Sequence, residues 1–360
     1  MAEQLKNMIN EEVVGKLASD IATVDENFNK NGFMAAIFNE HWDDLALMER
    51  GNLITKTLGA FLPSDYPLAI GILTKVIANV ESFLPVSLAA FIPMFGLDEQ
   101  HFDISTHALK YFTQFGSSEF AVRPFIEKYE DKMLPLMLEW ATDENEHVRR
   151  LASEGCRPAL PWGKALVKYK LDPSPILPIL ENLKNDDAKY VQKSVANNIN
   201  DIAKTHPDLI AELMQEWYGK SKNTDWIVKH GCRTLLKQGN PKALAIFGFD
   251  DATCLEITDF SIDKTVVPRG ENLTFSFEIT AQTDTLVRLE YGVDFMKANG
   301  KQNRKIFQIS ETSMKKGQVK KYVKTHKFAD LTTRKHYAGV HGIAIVVNGV
   351  AGEVLDFLLE

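Results

Sequence analysis

The stretch DENEHVRRLASEGCRPALPW, residues 143–162, predicts a helix whose polar face carries three charges. Its apolar stripe recurs at helical spacing and consists of Val148, Leu151 and Ala152. Arg150, Glu154 and Arg157 stand at i, i+4 and i+7, which places one carboxylate between two guanidiniums on a single face. Two prolines then end the helix, and Trp162 follows at once. Such a combination exceeds what a helix needs for stability and is typical of a surface that contacts phosphate and sugar.

The beginning of this helix recurs twice further along the chain. The three copies are separated by 43 and 37 residues and read Val148-Arg149-Arg150, Val191-Gln192-Lys193 and Val228-Lys229-His230. Each copy lies on the second helix of a predicted pair, the pairs being 132–141 with 146–157, 175–184 with 188–204, and 207–218 with 224–237. A period of this length with two helices per unit is typical of a HEAT-like α-solenoid. We expect the basic residues to recur along one face, with solvated charges at helix starts as the alternative.

The residues that precede these pairs also show helical patterns. Two or three helices are predicted within residues 1–40, with a break at Asn31-Gly32, and further helices near 40–60, 65–80 and 85–95. Residues 101–114 predict another helix, and Glu119 is expected to open the next one after a Gly-Ser-Ser break. The predicted solenoid therefore extends over residues 1–250.

After about residue 252 the hydrophobic pattern changes to a period of two, which is typical of β-strands. Seven short strands are predicted near 255–260, 273–279, 286–291, 305–309, 319–323, 342–347 and 353–358. Turn signals such as Asn299-Gly300 and Asn348-Gly349 separate them. The predicted fold class is therefore mostly α: a HEAT-like α–α superhelical solenoid followed by an all-β immunoglobulin-like sandwich over residues 253–360.

The predicted sandwich contains the most basic stretch of the chain. Between residues 297 and 335, twelve lysines and arginines stand against Glu311 and Asp330 only. Four of these lysines flank Gly317 and predict a basic hairpin tip directed at a polyanion: Lys315, Lys316, Lys320 and Lys321. The alternative interpretation is that the lysines serve solubility alone.

Composition places the chain among ordinary globular proteins. Of its 360 residues 45% are hydrophobic and 25% charged, and the formal net charge is −7. The three cysteines are widely spaced, which predicts neither disulfides nor a zinc site and favours a reducing cytoplasm. No run is long and apolar enough for a membrane span, and the first residues do not resemble a signal peptide. We expect a cytoplasmic monomer that needs no cofactor and no metal.

Several common catalytic motifs are missing, namely GxxxxGK[ST], GxGxxG, HExxH and GxSxG. What remains is a carboxylate among arginines. Glu154 should stay ionised between its two guanidiniums, and such a carboxylate can stabilise the cationic sugar that forms when a glycosidic bond breaks. Glu119 is the candidate for a second carboxylate, and Trp162 could stack on a deoxyribose. A structural ion pair at Glu154 and a hydrophobic plug at Trp162 are the alternatives.

Four segments resemble the HEAT-like repeat DNA glycosylases for alkylated bases, and within them the AlkC branch. They are SEFAVRPF from Ser118, VRRLASEG from Val148 with the LPW that ends at Trp162, VQKSVANNINDIAK from Val191, and KHGCRTLL from Lys229. An appended immunoglobulin-like domain is a feature of many AlkC proteins. One departure from the pattern is Gln192, which stands where the first copy has Arg149.

This resemblance implies a monofunctional DNA glycosylase that acts on double-stranded alkylated DNA. It would hydrolyse the N-glycosidic bond of N3-alkylated bases, chiefly 3-methyladenine and 3-methylcytosine, without a deep base-flipping pocket. The resemblance makes Glu154 the principal catalytic carboxylate, Glu119 a second acid and Trp162 the aromatic that contacts the sugar. The expected DNA-binding residues, besides the four lysines of the sandwich, are Arg149, Arg150, Arg157, Lys193, Asn197, Asn200, Lys229, His230 and Arg233. A non-catalytic scaffold that binds a DNA lesion or a protein is the alternative.

Overall fold

A computed structural model describes residues 5–249, 252–329 and 335–360. The chain divides into two compact units, of which the first comprises Met1–Thr205 with Gly219–Gly231 and the second His206–Tyr218 with Cys232–Glu360. The units therefore interleave along the chain between residues 206 and 231. The domain boundary at residues 250–253 stays a prediction.

The part of the chain before residue 250 is helical, as the sequence predicted. Its helices are α1 Glu11–Val24, α2 Lys30–Ile37, α3 Leu47–Phe61, α4 Tyr66–Val76, α5 Leu84–Phe95, α6 Phe102–Phe112, α7 Arg123–Lys128, α8 Glu130–Trp140, α9 Glu146–Gly155, α10 Val167–Leu171, α11 Leu177–Leu183, α12 Lys189–Ala203, α13 Pro207–Trp217, α14 Lys222–Gly231, α15 Arg233–Lys237 and α16 Pro241–Ile246. In the described part of the chain, no helix combines the length and the apolar character that crossing a membrane requires.

Side-chain caps explain where several of these helices begin. The carboxamide oxygen of Asn145 accepts a hydrogen bond from the His147 amide at 2.9 Å and so starts α9. Asn29 caps α2 in the same way through the amide of Gly32. The predicted break at Asn31-Gly32 is therefore wrong, because Asn29 supplies a cap that holds Gly32 inside the first turn of α2.

The second helices of successive repeats pack side by side. Helix α12 lies between α9 and α14 and contacts both. Fully buried aliphatic side chains fill the two contacts, among them Val148, Leu151, Val191, Val195 and Ile227. Residues that are one repeat apart in the sequence consequently face each other across these contacts. The candidate site lies at the contact between α9 and α12.

The part of the chain after residue 252 is a β-sandwich. Its strands are β1 Leu255–Ile262, β2 Val266–Val267, β3 Asn272–Ala281, β4 Thr285–Met296, β5 Gln302–Met314, β6 Val319–Lys327, β7 Gly339–Val347 and β8 Val350–Leu359. They form a three-stranded sheet in the order β1-β3-β6 and a five-stranded sheet in the order β2-β8-β7-β4-β5. Alternate residues such as Phe275, Phe277 and Val293 pack into one buried core. The predicted fold class is confirmed, and the seven predicted strands occur together with the short β2.

Candidate active site

The carboxylate of Glu154 is held from two sides. Glu154 lies in the last turn of α9, and its Oε1 accepts a hydrogen bond from Arg157 Nη1 at 2.6 Å. Its Oε2 accepts one from the hydroxyl of Ser194, on α12, at 2.5 Å. Only 7% of the side chain is exposed. Both oxygens are therefore fixed, and the carboxylate is more enclosed than we expect for a residue on a surface that contacts phosphate and sugar.

Arg157 connects this carboxylate to a second one on the next repeat. Its Nε and Nη2 lie 2.9 and 2.8 Å from Oδ2 of Asp201, near the end of α12. Burial lowers the pKa of Arg157, but the charges of Glu154 and Asp201 outweigh that effect and raise the pKa overall. Arg157 is consequently a permanent, buried cation that holds the Glu154 carboxylate in place.

Arg150 joins the two predicted catalytic carboxylates. Its Nη1 lies 2.7 Å from Oε2 of Glu119, and its Nη2 lies 3.6 Å from Oε1 of Glu154. The hydroxyl of Ser117 accepts a hydrogen bond from Arg150 at 2.8 Å and donates one to Glu119 at 2.7 Å. The ring of Tyr190 lies 4.7 Å from the guanidinium carbon. The structure thus brings Glu119 and Glu154 to one cation.

Glu119 does not open a helix, as the sequence predicted it would. Residues 119–122 form turns, and α7 begins only at Arg123. The amide of Val122 bonds to the carbonyl of Ser118 at 3.0 Å, which closes the turn. Glu119 is therefore positioned by its bonds to Ser117 and Arg150 rather than by a helical backbone.

Arg123 holds the segment that follows α9. Its Nη1 donates to the carbonyls of Gly155 and Arg157 at 2.9 and 3.0 Å, and its Nε donates to the carbonyl of Lys164 at 2.8 Å. Burial is the largest influence on the Arg123 guanidinium and lowers its pKa. Burial also raises the pKa of the Cys156 thiol to about 12, so this thiol stays protonated at neutral pH and is inert.

Trp162 lies at the tip of the segment that Arg123 holds. Its φ is +62°, which places a large side chain in the left-handed region that it normally avoids. The turn around it is closed by the amide of Gly163, which bonds to the carbonyl of Leu160 at 3.1 Å. Trp162 is 71% exposed. The backbone therefore presents the indole to solvent at an energetic cost, which is common at functional sites.

Arg149 bonds within the protein. Its Nε and Nη2 donate to the Asp186 carboxylate at 2.6 and 3.1 Å, and its Nη1 donates to the carbonyls of Asp143 and Glu144, each at 2.9 Å. The hydrogen bond to Asp186 is the largest influence on Arg149 and raises its pKa. Arg149 braces two repeats, and its assignment to the DNA backbone stays a prediction.

The other predicted DNA-binding residues of the helical region differ in exposure. Lys193 and His230 are exposed, whereas Asn200 is only 3% exposed. Three are half-buried, namely Asn197, Lys229 and Arg233. The imidazole of His230 stacks on Trp226 with ring centroids 3.7 Å apart. Their roles at DNA stay predictions.

The predicted basic tip of the sandwich is a hairpin turn in which Gly317 has a φ of +75°. Lys315 Nζ lies 2.8 Å from Asp284, and Lys316 is exposed. Lys320 and Lys321 are successive residues of β6 and therefore point to opposite faces, with Lys320 bonded to Thr312 and Lys321 paired with Glu278. The four lysines do not form one patch. Arg334, which belongs to the predicted basic stretch, lies outside the described residues.

Comparisons with known proteins identify the family. The solved structure "Pseudomonas fluorescens alkylpurine DNA glycosylase AlkC bound to DNA containing an abasic site analog" is 35% identical and superposes with a TM-score of 0.95, covering 99% of this chain and 100% of the other. The chain belongs to the AlkC-type DNA alkylation repair glycosylases. "Uncharacterized protein YhaZ" of Bacillus subtilis (strain 168) is 44% identical over 353 residues, which is 98% of each chain.

Family models match both parts of this AlkC-type chain. The model described as DNA alkylation repair enzyme matches residues 99–235. This range includes the Glu154 cluster, which comprises Glu119, Arg150, Glu154, Arg157, Ser194 and Asp201. The model described as the C-terminal Ig-like domain of uncharacterised protein YhaZ matches residues 256–360. The resemblance inferred from the sequence is therefore confirmed.

The sequence interpretation missed four residues of the candidate site, namely Ser117, Tyr190, Ser194 and Asp201. Ser194 follows Glu154 by 40 residues, and Asp201 follows Arg157 by 44. Both separations are close to the repeat period. A search for polar residues about one repeat period after Glu154 and Arg157 would have identified Ser194 and Asp201 as their partners.

Proposed function

We propose that the protein is a monofunctional DNA glycosylase that hydrolyses the N-glycosidic bond of N3-alkylated bases in double-stranded DNA, with 3-methyladenine and 3-methylcytosine as its substrates. The observation that carries the proposal is the Glu154 carboxylate, fixed by Arg157 and Ser194 and linked to Glu119 through Arg150. The proposal names Glu154 as the principal catalytic carboxylate and Glu119 as the second.

The chemistry suits a site that lacks a strong acid. An N3-alkylated base carries a positive charge, so it leaves with the bonding electron pair and becomes neutral without protonation. The sugar is left as an oxocarbenium-like cation, which a preorganised carboxylate stabilises. Water then attacks the sugar carbon, and its proton passes to a carboxylate or to solvent. This mechanism requires no cofactor and no deep pocket around the base.

The proposed DNA surface combines a fixed centre with exposed cations. Trp162 contacts the deoxyribose, because its indole is exposed and the braced turn holds it in place. Lys193 contacts the phosphate backbone from α12 and His230 does so from α14, while Lys316 does so from the sandwich. Such contacts release counterions, so the affinity for DNA should fall steeply as the salt concentration rises.

We place the boundary between the two domains at residues 250–253.

The enclosure of Glu154 favours one alternative function. A carboxylate that is 7% exposed, with both oxygens bonded, also suits a structural ion-pair network. In that case the protein would bind DNA lesions as a scaffold without cutting them. The two functions differ in a single product, which is the free base.

The test is mass-spectrometric analysis of the bases that the protein releases from a methylated DNA duplex. The proposal predicts free 3-methyladenine and 3-methylcytosine, with intact abasic strands left behind. Binding to the methylated duplex without any released base would support the scaffold instead. Strand breaks at the abasic sites would contradict the monofunctional assignment.

A further inference from the structure

We infer that Tyr190 is a positioning residue, which holds Arg150 in the orientation that joins Glu119 to Glu154. This inference deepens the proposed function and rests on it for the meaning of the site. Nothing in the sequence pattern singled out Tyr190, which is the second residue of α12. Its position beside Arg150 follows from the packing of α9 against α12.

The guanidinium of Arg150 must keep one orientation to contact Glu119 and Glu154 at the same time. A guanidinium is a planar fork, and its two terminal nitrogens lie in fixed directions. In Arg150 one nitrogen is directed at Glu119, at 2.7 Å, and the other at Glu154, at 3.6 Å. Rotation of this plane would break one contact or both. The face of the plane therefore needs a support.

Tyr190 provides that support. The guanidinium carbon lies 4.7 Å from the centre of its ring, within the range in which a cation is attracted to an aromatic face. The ring itself is fixed by His147, whose imidazole meets it edge to face at 5.5 Å. His147 and Arg150 are one turn apart on α9, so Tyr190 of α12 contacts both of them. These contacts join α9 to α12 next to the two carboxylates.

The support comes from the ring and not from the hydroxyl. Among the described residues, the Tyr190 hydroxyl makes no hydrogen bond to Arg150, Glu119 or Glu154. Tyr190 is also 40% exposed, so its removal leaves no large internal cavity. A phenylalanine should consequently replace it, whereas a leucine should not.

A second arginine provides a matched control. The guanidinium carbon of Arg50 lies 4.4 Å from the ring centre of Trp42, and Arg50 Nη1 donates to the carbonyls of Lys6 and Ile9 at 3.0 and 2.9 Å. This stack is similar in geometry but touches neither Glu119 nor Glu154. Trp42→Leu should therefore lower the melting temperature and leave excision unchanged.

The experiment compares Tyr190→Phe, Tyr190→Leu and Trp42→Leu in the full chain. The readouts are the single-turnover rate of base release from methylated duplex DNA, the dissociation constant for that duplex, and the melting temperature. Tyr190→Phe should release base within about twofold of wild type. Tyr190→Leu should be about tenfold slower, which corresponds to the loss of about 1.4 kcal/mol and lies within the range of a cation–π contact that is partly shielded from water. Its affinity for DNA should change by less than about threefold.

Two results of the rate measurement would overturn the inference: a Tyr190→Leu rate equal to wild type, or a Tyr190→Phe rate as low as that of Tyr190→Leu. Nitrogen-15 NMR of the arginine side chains provides a readout that needs no activity. Slow rotation of the Arg150 guanidinium should persist in Tyr190→Phe and be lost in Tyr190→Leu, and equal rotation in both would also overturn it. If the wild type releases no base, the proposed function fails, while the NMR comparison still decides the positioning role.

Discussion

The Glu154 cluster and the hairpin tip of the sandwich are both rich in charge, yet they are built in opposite ways. The Glu154 side chain is 7% exposed and bonds to two neighbours, whereas Lys315, at the tip, is 80% exposed and pairs with a single aspartate. Charges in the cluster lie within contact distance of partners from the next repeat. At the tip, neighbouring lysines of β6 point to opposite faces.

This difference indicates two kinds of task. A group that stabilises a reacting sugar must stay in one place, and buried partners hold it there. A group that attracts phosphate needs only its charge, and water and salt screen it strongly. The rigid region therefore suits chemistry, and the exposed region suits loose binding to a polyanion. The predictions below test this contrast, beginning with the largest effect.

Removal of Arg157 should have the largest effect on stability. Arg157→Ala leaves the carboxylates of Glu154 and Asp201 without their shared cation in a buried site. Breaking a buried ion pair in this way costs about 3–5 kcal/mol. We expect a loss of that order in the free energy of unfolding, measured by urea denaturation. Lys315→Ala serves as the control and should leave the free energy of unfolding unchanged within experimental error, because this lysine is exposed to water and salt. Equal losses of unfolding free energy in the two variants would contradict the proposed difference between the buried cluster and the exposed hairpin tip.

Trp162→Gly should separate stability from activity. Glycine adopts a positive φ without strain, so the free energy of unfolding should stay the same or rise by about 1 kcal/mol. Base release should fall about tenfold because the exposed indole no longer contacts the sugar. Trp162→Phe, which keeps an aromatic ring at the same backbone strain, is the matched variant and should retain more activity. Unchanged excision in Trp162→Gly would assign the indole no role at the sugar.

The hairpin tip should affect only binding, and by a small amount. Replacing Lys315 and Lys316 by alanine removes at most two phosphate contacts. The plot of log affinity against log salt concentration should then become less steep, by up to about 2 in the magnitude of its slope. The single-turnover rate at saturating protein should stay within about twofold of wild type. A large loss of rate at saturation would show that the tip takes part in the chemistry.

Much of the fold could be predicted because its periods are strict. Alternate side chains of a strand face the core, so seven strands were visible as alternating runs. Strand β2 was missed because two residues carry no period and Val266 pairs with the distant Leu358. The break at Asn31-Gly32 was wrong, since a dipeptide that usually marks a turn was overridden by the cap that Asn29 provides.

From spacing alone, only the part of the site that lies on α9 could be placed on one face. Helical spacing alone placed Arg150 and Glu154 on one face, and the structure brings them to 3.6 Å. Ser194 and Asp201 come from the next repeat, so their contacts depend on how α12 packs against α9. The burial of Glu154 depends on the same packing. Spacing within one helix contains no information about either.

The most direct test of the central claim is Glu154→Gln in the mass-spectrometric assay. Glutamine keeps the size of the side chain and a carbonyl oxygen for Ser194, but it removes the charge and replaces the oxygen that accepts from Arg157 by an amide NH2 group. The account predicts that base release from methylated duplex DNA falls at least about 100-fold, which is typical when a group that stabilises the transition state is lost. Affinity for the same duplex should stay within about threefold. Release of base by Glu154→Gln at the wild-type rate would contradict the claim that this carboxylate stabilises the sugar cation.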